Sequence, residues 1–485
     1  MSVPSESATK QPVGGLDKFF HISERGSSVG REIRAGIVTF FAMAYIVLLN
    51  PLILGTSADR EGVVLGIPQV AAVTALAAGV MCVLFGVIAQ YPFGIAAGLG
   101  LNTLVAVTLV GQQGLTWPEA MGLVVIDGII ICLLAISGFR TAVFEAIPNS
   151  MKVAMSVGIG MFIAMIGLVD AGFVRRIPDE AHTTVPVQLG FGGSIASWPT
   201  AVFVIGLLIC GFMVIRNIPG GLFIGIVATT VISMVVESFV GAGSSADNDH
   251  GWSLAVPTLP DSFGGIPDLS LVGKIDLFGA FVEVGVVAAS LLVFTLVLAN
   301  FFDAMGTMTA LGRQAGLTDE NDNLPGMKRA LVVEGFGAVV GGSVSGSSNT
   351  VFVDSSAGIA DGARTGLANV VTGILFLLAM FLTPLYEIVP IEAAAPVLVV
   401  VGALMMMQVS NIDWTRFDVA FPAFLTIIMM PLTYSIANGI GVGFIAFTLM
   451  ALFAGRRKDI HWIMWLISAL FLIYFAQGPL MSLIS

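Results

Sequence analysis

Charge is what this chain has least of: only 11% of its 485 residues are Asp, Glu, Lys or Arg. A soluble domain carries about 25%, so the shortage excludes a water-soluble globule. The net charge of −11 belongs to the tail and loops, and no basic cluster suited to nucleic acid is present. Histidine is scarce as well. His21, His182, His250 and His461 lie in the tail, in loops or at a span end, so a proton relay through a membrane would have to use carboxylates. The three cysteines, Cys82, Cys132 and Cys210, fall inside apolar runs with no metal-ligand spacing. They read as small buried hydrophobes, and neither a metal nor a cofactor is expected. Residues 1–30 have no apolar core of the signal-peptide type, so no cleavage is expected and the first transmembrane helix is the insertion signal. Lys10, Lys18, Arg25 and Arg31 place that tail in the cytoplasm.

What is abundant is hydrocarbon. With 56% hydrophobic residues and a mean hydropathy of +0.98, the chain reads as an all-α polytopic protein of the cell (plasma) membrane, with the lipid bilayer as its solvent. A span takes about 20 apolar residues. That ruler finds segments at 34–55, 70–91, 93–112, 117–139, 151–173, 198–216 and 219–241. A polar loop, 242–278, holds "SSADNDHG" and several prolines and shows no sign of a folded domain. Further segments run at 281–312, 327–344, 346–362, 364–386, 391–409, 418–434, 437–455 and 461–482. Counting all of them as crossings leaves the C-terminus outside, so one of the last three is expected to be a half-crossing.

Two segments make poor helices. The third, "PFGIAAGLGLNTLVAVTLVG", opens with proline and carries Gly94, Gly98 and Gly100. Its counterpart, "SVSGSSNTVFVDSSAGIADG" (343–362), is too polar for a lipid-facing helix. Irregular backbone at membrane depth must be packed in protein or line a cavity. A re-entrant loop or a short external stretch is one solution; a matched pair of broken helices at a substrate site is the sharper one. Internal similarity supports the pair. "YIVLLNPLILG" (45–55) resembles "TLVLANFFDAMG" (295–306), aligning Asn50 with Asn300 at a shift of 250, and the same shift carries the third segment onto 343–362. About seven spans per half is an odd number, which inverts the second copy relative to the first. Arg140, Lys152, Arg216, Arg313, Lys328, Arg329 and Arg364 then fall on the cytoplasmic side, whereas Arg175 and Arg176 fall outside beside Asp179 and Glu180.

Five carboxylates stand inside spans, where a charge costs roughly 2.5–3.5 kcal/mol even on the lenient insertion scale. Asp127, alone in "GLVVIDGIII", reads as structural, an inter-helix hydrogen bond. Asp361, near Arg364, reads as a salt bridge or a helix-end charge. Glu334, in "RALVVEGFGAVVGG", either supports a site from behind or is purely structural. Asp303 and Asp354 differ. Asp303 precedes "AMGTMT", with Thr307 on the next turn, and Asp354 sits where extended "NTVFV" gives way to "SSAGIADG", as if a strand led into a half-helix. The unpaired N–H groups at such a start can bind polar ligand atoms or hold Asp354 ionised. Gly100 and Asn102 open the mirror half-helix, and Phe352, Val353 and Ser355 surround the second start. Two such starts flanked by two carboxylates make a pocket for a small, neutral, planar, hydrogen-bonding molecule. Protonation of Asp303 or Asp354, with Glu334 in support, would couple transport to a proton gradient. The alternative is that both aspartates only tie helices together.

"FFDAMGTMTALG", "SAGIADGARTG", "MKVAMSVGIGMFIAMIGL" and "PAFLTIIMMPLTYSIANGIGVGF" resemble the azaguanine-type purine permeases of the nucleobase–cation symporter superfamily, from about residue 16 to the C-terminus. The resemblance implies about fourteen spans in two inverted seven-helix repeats, with a short β-strand plus half-helix in spans 3 and 10. It implies a core domain of spans 1–4 and 8–11 that holds the substrate, and a gate domain of spans 5–7 and 12–14 against which it moves, elevator-like or rocking. On that plan 1–30 is the tail, 31–139 and 279–388 form the core, 140–241 and 389–485 form the gate, and 242–278 is an extracytoplasmic loop. The nucleobase-binding carboxylates of spans 8 and 10 fall on Asp303 and Asp354. Import of purine nucleobases (guanine, hypoxanthine, adenine or related) with protons is implied, and a homodimer is an assembly to test. The chain departs from the family's pattern in places. The family writes "FDT" where Phe302-Asp303-Ala304 stands, Glu at the place of Asp354, and Asp in span nine at the place of Glu334. The shorter carboxylate at 354 withdraws its oxygen by about one bond length, which leaves the particular purine open.

Other readings compete. A uracil- or xanthine-type carrier could share the fold. So could an anion carrier for sulfate or bicarbonate, although two carboxylates at the site oppose an anion. An intramembrane aspartyl protease would need Gly-x-Gly before its aspartate, and Asn300-Phe301-Phe302 stands there instead.

Overall fold

Hydrocarbon offers no water to a backbone, so each crossing must bond internally, and the apolar runs fold into helices accordingly. The computed structural model describes residues 14–137, 147–176 and 187–476, apart from 246, 254, 260–261, 263, 320–323 and 386–387. Lys10, Arg140, Asp179, Glu180, His182 and the end of the run at 461–482 lie outside them.

The principal elements of the first half are α1 (Val29–Met43), α2 (Ile46–Leu54), α3 (Ile67–Leu84), β1 (Ile95–Ala97), α4 (Leu99–Thr103), α5 (Trp117–Ser137), α6 (Asn149–Asp170), β2 (Val174–Arg176), β3 (Val187–Leu189), α7 (Trp198–Ile215) and α8 (Gly221–Val240). Those of the second half are α9 (Val286–Ala315), α10 (Met327–Ser343), β4 (Asn349–Val351), α11 (Ser355–Asp361), α12 (Gly366–Ala379), α13 (Ile391–Met406), α14 (Phe417–Leu432), α15 (Ile436–Phe453) and α16 (Trp462–Phe475). A π-helix, Leu104–Gln112, prolongs α4. Among the described residues, eight helices are long and apolar enough to cross a membrane.

Helices cannot attract one another through the hydrophobic effect inside lipid, so close approach of small residues has to serve. Glycines supply it here. A Cβ placed on Gly366 of α12 would lie 1.9 Å from the Gly86 carbonyl at the end of α3, and one on Gly373 would lie 2.6 Å from the Gly79 carbonyl. A Cβ on Gly128 of α5 would meet the Gly335 carbonyl of α10 at 2.7 Å. One on Gly402 of α13 would meet the Gly160 carbonyl of α6 at 2.4 Å. Each contact joins a first-half helix to a second-half one.

The polar loop at 242–278 is more ordered than its composition suggests. Trp252 is fully buried, and its Nε1 donates to Glu237 at 2.7 Å. Glu237 also accepts the backbone N–H groups of Ala242 and Gly243, while Ser253 N donates to Glu392 at the start of α13. Farther on, Asp276 N donates to the Pro118 carbonyl and Gly273 N to that of Ser343. Composition misled because two carboxylate acceptors, half-buried Glu237 and buried Glu392, and one tryptophan order a segment rich in Gly, Ser and Pro.

Candidate functional site

The two poor helices are broken, as their glycines and polar residues require. β1 pairs antiparallel with β4 in the register Ile95↔Val351, Ala96↔Thr350 and Ala97↔Asn349. Gly98 N donates to the Ser348 carbonyl at 3.0 Å, and Phe352 N donates to that of Gly94 at 2.9 Å, closing the ladder at both ends. α4 follows β1 and α11 follows β4, so both half-helix starts lie beside this pair. Every residue of both strands is buried. Just before β4, Ser345 and Ser347 take left-handed backbone at φ 59° and 67°. Such residues cost of order 1–3 kcal/mol each and gather at functional segments. The two halves do not superpose at a single shift of 250: β1 begins at 95 and β4 at 349, so four extra residues have entered the second half by then.

The carboxylates flank the pair. Asp303, on α9, faces the Thr350 side chain of β4. Asp354 stands at the N-cap of α11 but makes no side-chain capping bond to it. Its Oδ2 instead accepts the Tyr45 hydroxyl at 3.0 Å. Tyr45 lies at the break between α1 and α2, is 1% exposed, and tilts its ring towards Phe352. The sequence reading missed Tyr45. Its signal was one hydroxyl in the apolar run "MAYIVLLN", ahead of the aligned Asn50.

Asn102 of α4 is fully buried, and among the described residues neither amide atom has a hydrogen-bond partner. Leaving a buried polar group unmatched costs about 1–3 kcal/mol, so the Asn102 amide is a candidate for a ligand contact. Gly100 faces Ile159 of α6, whose Cγ2 would lie 2.7 Å from an added Cβ. Thr307 is half-buried one turn beyond Asp303, Val353 is exposed, and Phe352 is buried. The Ser355 hydroxyl is committed to the scaffold, where it accepts the Gly94 N–H at 2.8 Å.

Behind the strands lies a polar network. Asn300 Nδ2 donates to Asp127 Oδ2 at 3.2 Å and to Ser348 Oγ at 3.0 Å. Asn50 Nδ2 donates to Thr74 Oγ1 at 2.8 Å and to the Gly346 carbonyl at 3.1 Å. The expected inter-helix bond of Asp127 is therefore present, and the aligned Asn50 and Asn300 both brace the turn before β4. Glu334 is fully buried on α10, on the helical stripe that carries Gly337, whose carbonyl accepts Asn349 Nδ2 at 3.2 Å. Asp361 is ion-paired, but with Arg34 at 2.7 Å and not with Arg364. Arg364 spends its guanidinium on the carbonyls of Ile359 and Ala363.

Paired broken helices faced by carboxylates, inside a mostly helical apolar chain, are the arrangement of a membrane transporter. The same fold is seen in the transmembrane domain of the cyanobacterial bicarbonate transporter BicA, with a TM-score of 0.57 and 14% identity over 84% of this chain and 97% of that one. Murine Slc26a9, an anion transporter, gives 0.59 and 10% identity over 88% and 68%. Those likenesses concern fold alone. Residues 30–442 match the Xan_ur_permease model of the permease family, and the chain belongs to that family. It is 37% identical to the guanine/hypoxanthine permease PbuG of Bacillus subtilis over 95% of this chain and 99% of that one. It is 33% identical to the adenine permease AdeP of Escherichia coli over 95% and 96%.

Proposed function

We propose that this permease imports purine nucleobases by proton symport across the plasma membrane, with Asp303, Asp354 and Asn102 binding the base between the two half-helix starts. The observation that carries the reading is the buried, unpartnered Asn102 amide beside a strand pair flanked by two half-buried carboxylates. A purine edge offers N–H donors to carboxylates and ring nitrogens to an amide, and it matches no anion. Gly100, Thr307, Phe352 and Val353 form the walls, and Ser355 holds the frame. Glu334 supports proton coupling from behind the strands.

The plan of fourteen spans in two inverted repeats is supported by the helix contacts. If α3 corresponds to α10 and α5 to α12, then the glycine contacts α3–α12 and α5–α10 exchange under the same pseudo-two-fold relation. α6–α13 maps onto itself. α14 and α16, of 16 and 14 residues, are the shortest terminal crossings, and one of them is the half-crossing. Spans 1–4 and 8–11 (residues 31–139 and 279–388) make the core, spans 5–7 and 12–14 (140–241 and 389–485) the gate, and the N-terminal tail is cytoplasmic. A homodimer joined through the gate is the proposed assembly.

The test is uptake of radiolabelled guanine, hypoxanthine and adenine by cells lacking their own purine carriers, with unlabelled purines, uracil and sulfate as competitors. Competition by purines alone is expected. Inhibition by sulfate but not by purines would replace this reading with an anion carrier.

A further inference from the structure

Two cavities meet beside the end of α3, on the face where the N-terminal segment docks. One, of about 390 Å³, is polar and is lined by His21, Glu24, Arg25, Gln90 and Arg329. The other, of about 430 Å³, runs along Leu84, Ile88, Val332 and Phe336, with Lys328 and Arg329 also lining it. Ile88 and Arg329 belong to both. A polar basin opening into an apolar groove has the shape of a lipid headgroup and an acyl chain, and the surrounding surface agrees. Ile88 and Phe336 are 46% and 45% exposed on segments that cross the bilayer, where exposed surface faces lipid tails.

Charge selects the kind of lipid. Arg25, Lys328 and Arg329 outnumber Glu24, which is paired with His21 at 2.8 Å, in a chain whose net charge is −11. Arg25 is fixed in place: its Nη1 donates to the carbonyls of Gln90 at 2.6 Å and Arg364 at 3.0 Å, beside the Tyr91 ring. The basin wall is therefore built by the protein and is not a loose fringe of surface lysines. We propose that an anionic phospholipid occupies this site, with its phosphate in the basin and one acyl chain along Phe336. The site lies on the core, away from the nucleobase pocket, and would anchor that domain to one leaflet.

The F336W variant, reconstituted in vesicles, reports directly on the groove. Its fluorescence is read as the difference from the parent protein. Brominated phosphatidylglycerol is expected to quench the introduced indole several-fold more effectively than brominated phosphatidylcholine at equal mole fraction. Adding K328E and R329E should remove that preference, since each basic residue near a charged surface contributes measurably to anionic lipid binding. Equal quenching by both lipids, or a preference that survives charge reversal, overturns the proposal. Should the charge-reversed protein fail to insert, native mass spectrometry of the parent protein in a mixture of both lipids decides. Retained phosphatidylglycerol supports the site, and indifference to headgroup sinks it.

Discussion

Asp303 and Asp354 are neither sealed from water nor freely exposed, which is compatible with the proposed role in binding the base. Asp303 faces the Thr350 side chain, and on the proposed reading its carboxylate gains from a base that donates N–H groups. Asp303→Asn is expected to abolish uptake, or nearly so, at normal abundance in the membrane; wild-type transport by that variant would remove Asp303 from the site. Asp354 accepts the Tyr45 hydroxyl, a bond that limits the reach of its carboxylate. Asp354→Glu restores the family's usual residue and lengthens that reach. It is expected to keep activity or to shift preference among guanine, hypoxanthine and adenine, measured by competition. Complete inactivity would mean that the pocket is fitted to the shorter acid. Both aspartates were legible in the sequence because charge inside apolar runs is rare enough to stand out. Tyr45 and the Ser355 bond to Gly94 were not, since nothing in one dimension brings residue 45 to 354 or 94 to 355.

At the scale of elements, the broken crossings could be read from glycine, proline and polar residues, and nearly every helix from its apolar run. The shift of 250 could locate them only to within a turn, because insertions leave no mark on a weak repeat. The order within 242–278 was illegible for a related reason: Glu237 and Glu392, which hold it, belong to other elements. Helix packing was foreshadowed by glycine content but not by partner. The α3–α12 contact is the tightest of these. A side chain at Gly366 would be driven into the Gly86 carbonyl, and neither backbone can yield without unwinding a helix end. Gly366→Val is therefore expected to destabilise the protein by about 1–3 kcal/mol, the usual range for overpacking. A lowered melting temperature in detergent would show it, and an unchanged melt would mean that the two helices separate easily.

For the whole molecule, the proposed movement requires that α4 slide past α6, and Gly100 faces Ile159 across that contact. Joining the two as G100C/I159C by an oxidant is expected to stop uptake, with reductant restoring it; full transport while cross-linked would rule out relative movement there. The coupling ion is set at the same scale. Vesicles with an imposed proton gradient, acidic outside, should accumulate purine, and an uncoupler should abolish the accumulation. Accumulation that follows sodium and ignores the uncoupler would leave the carboxylates as a ligand clamp alone. The strand pair also bears on how the protein is made. β1 has no backbone partner until β4 has been synthesised, some 250 residues later. At roughly 5–20 residues per second, the first half must wait on the order of ten seconds or more in the insertion machinery with an unpaired crossing. A chain truncated before residue 349 would therefore hold an incomplete crossing for good, and quality-control proteases should recognise the third span first.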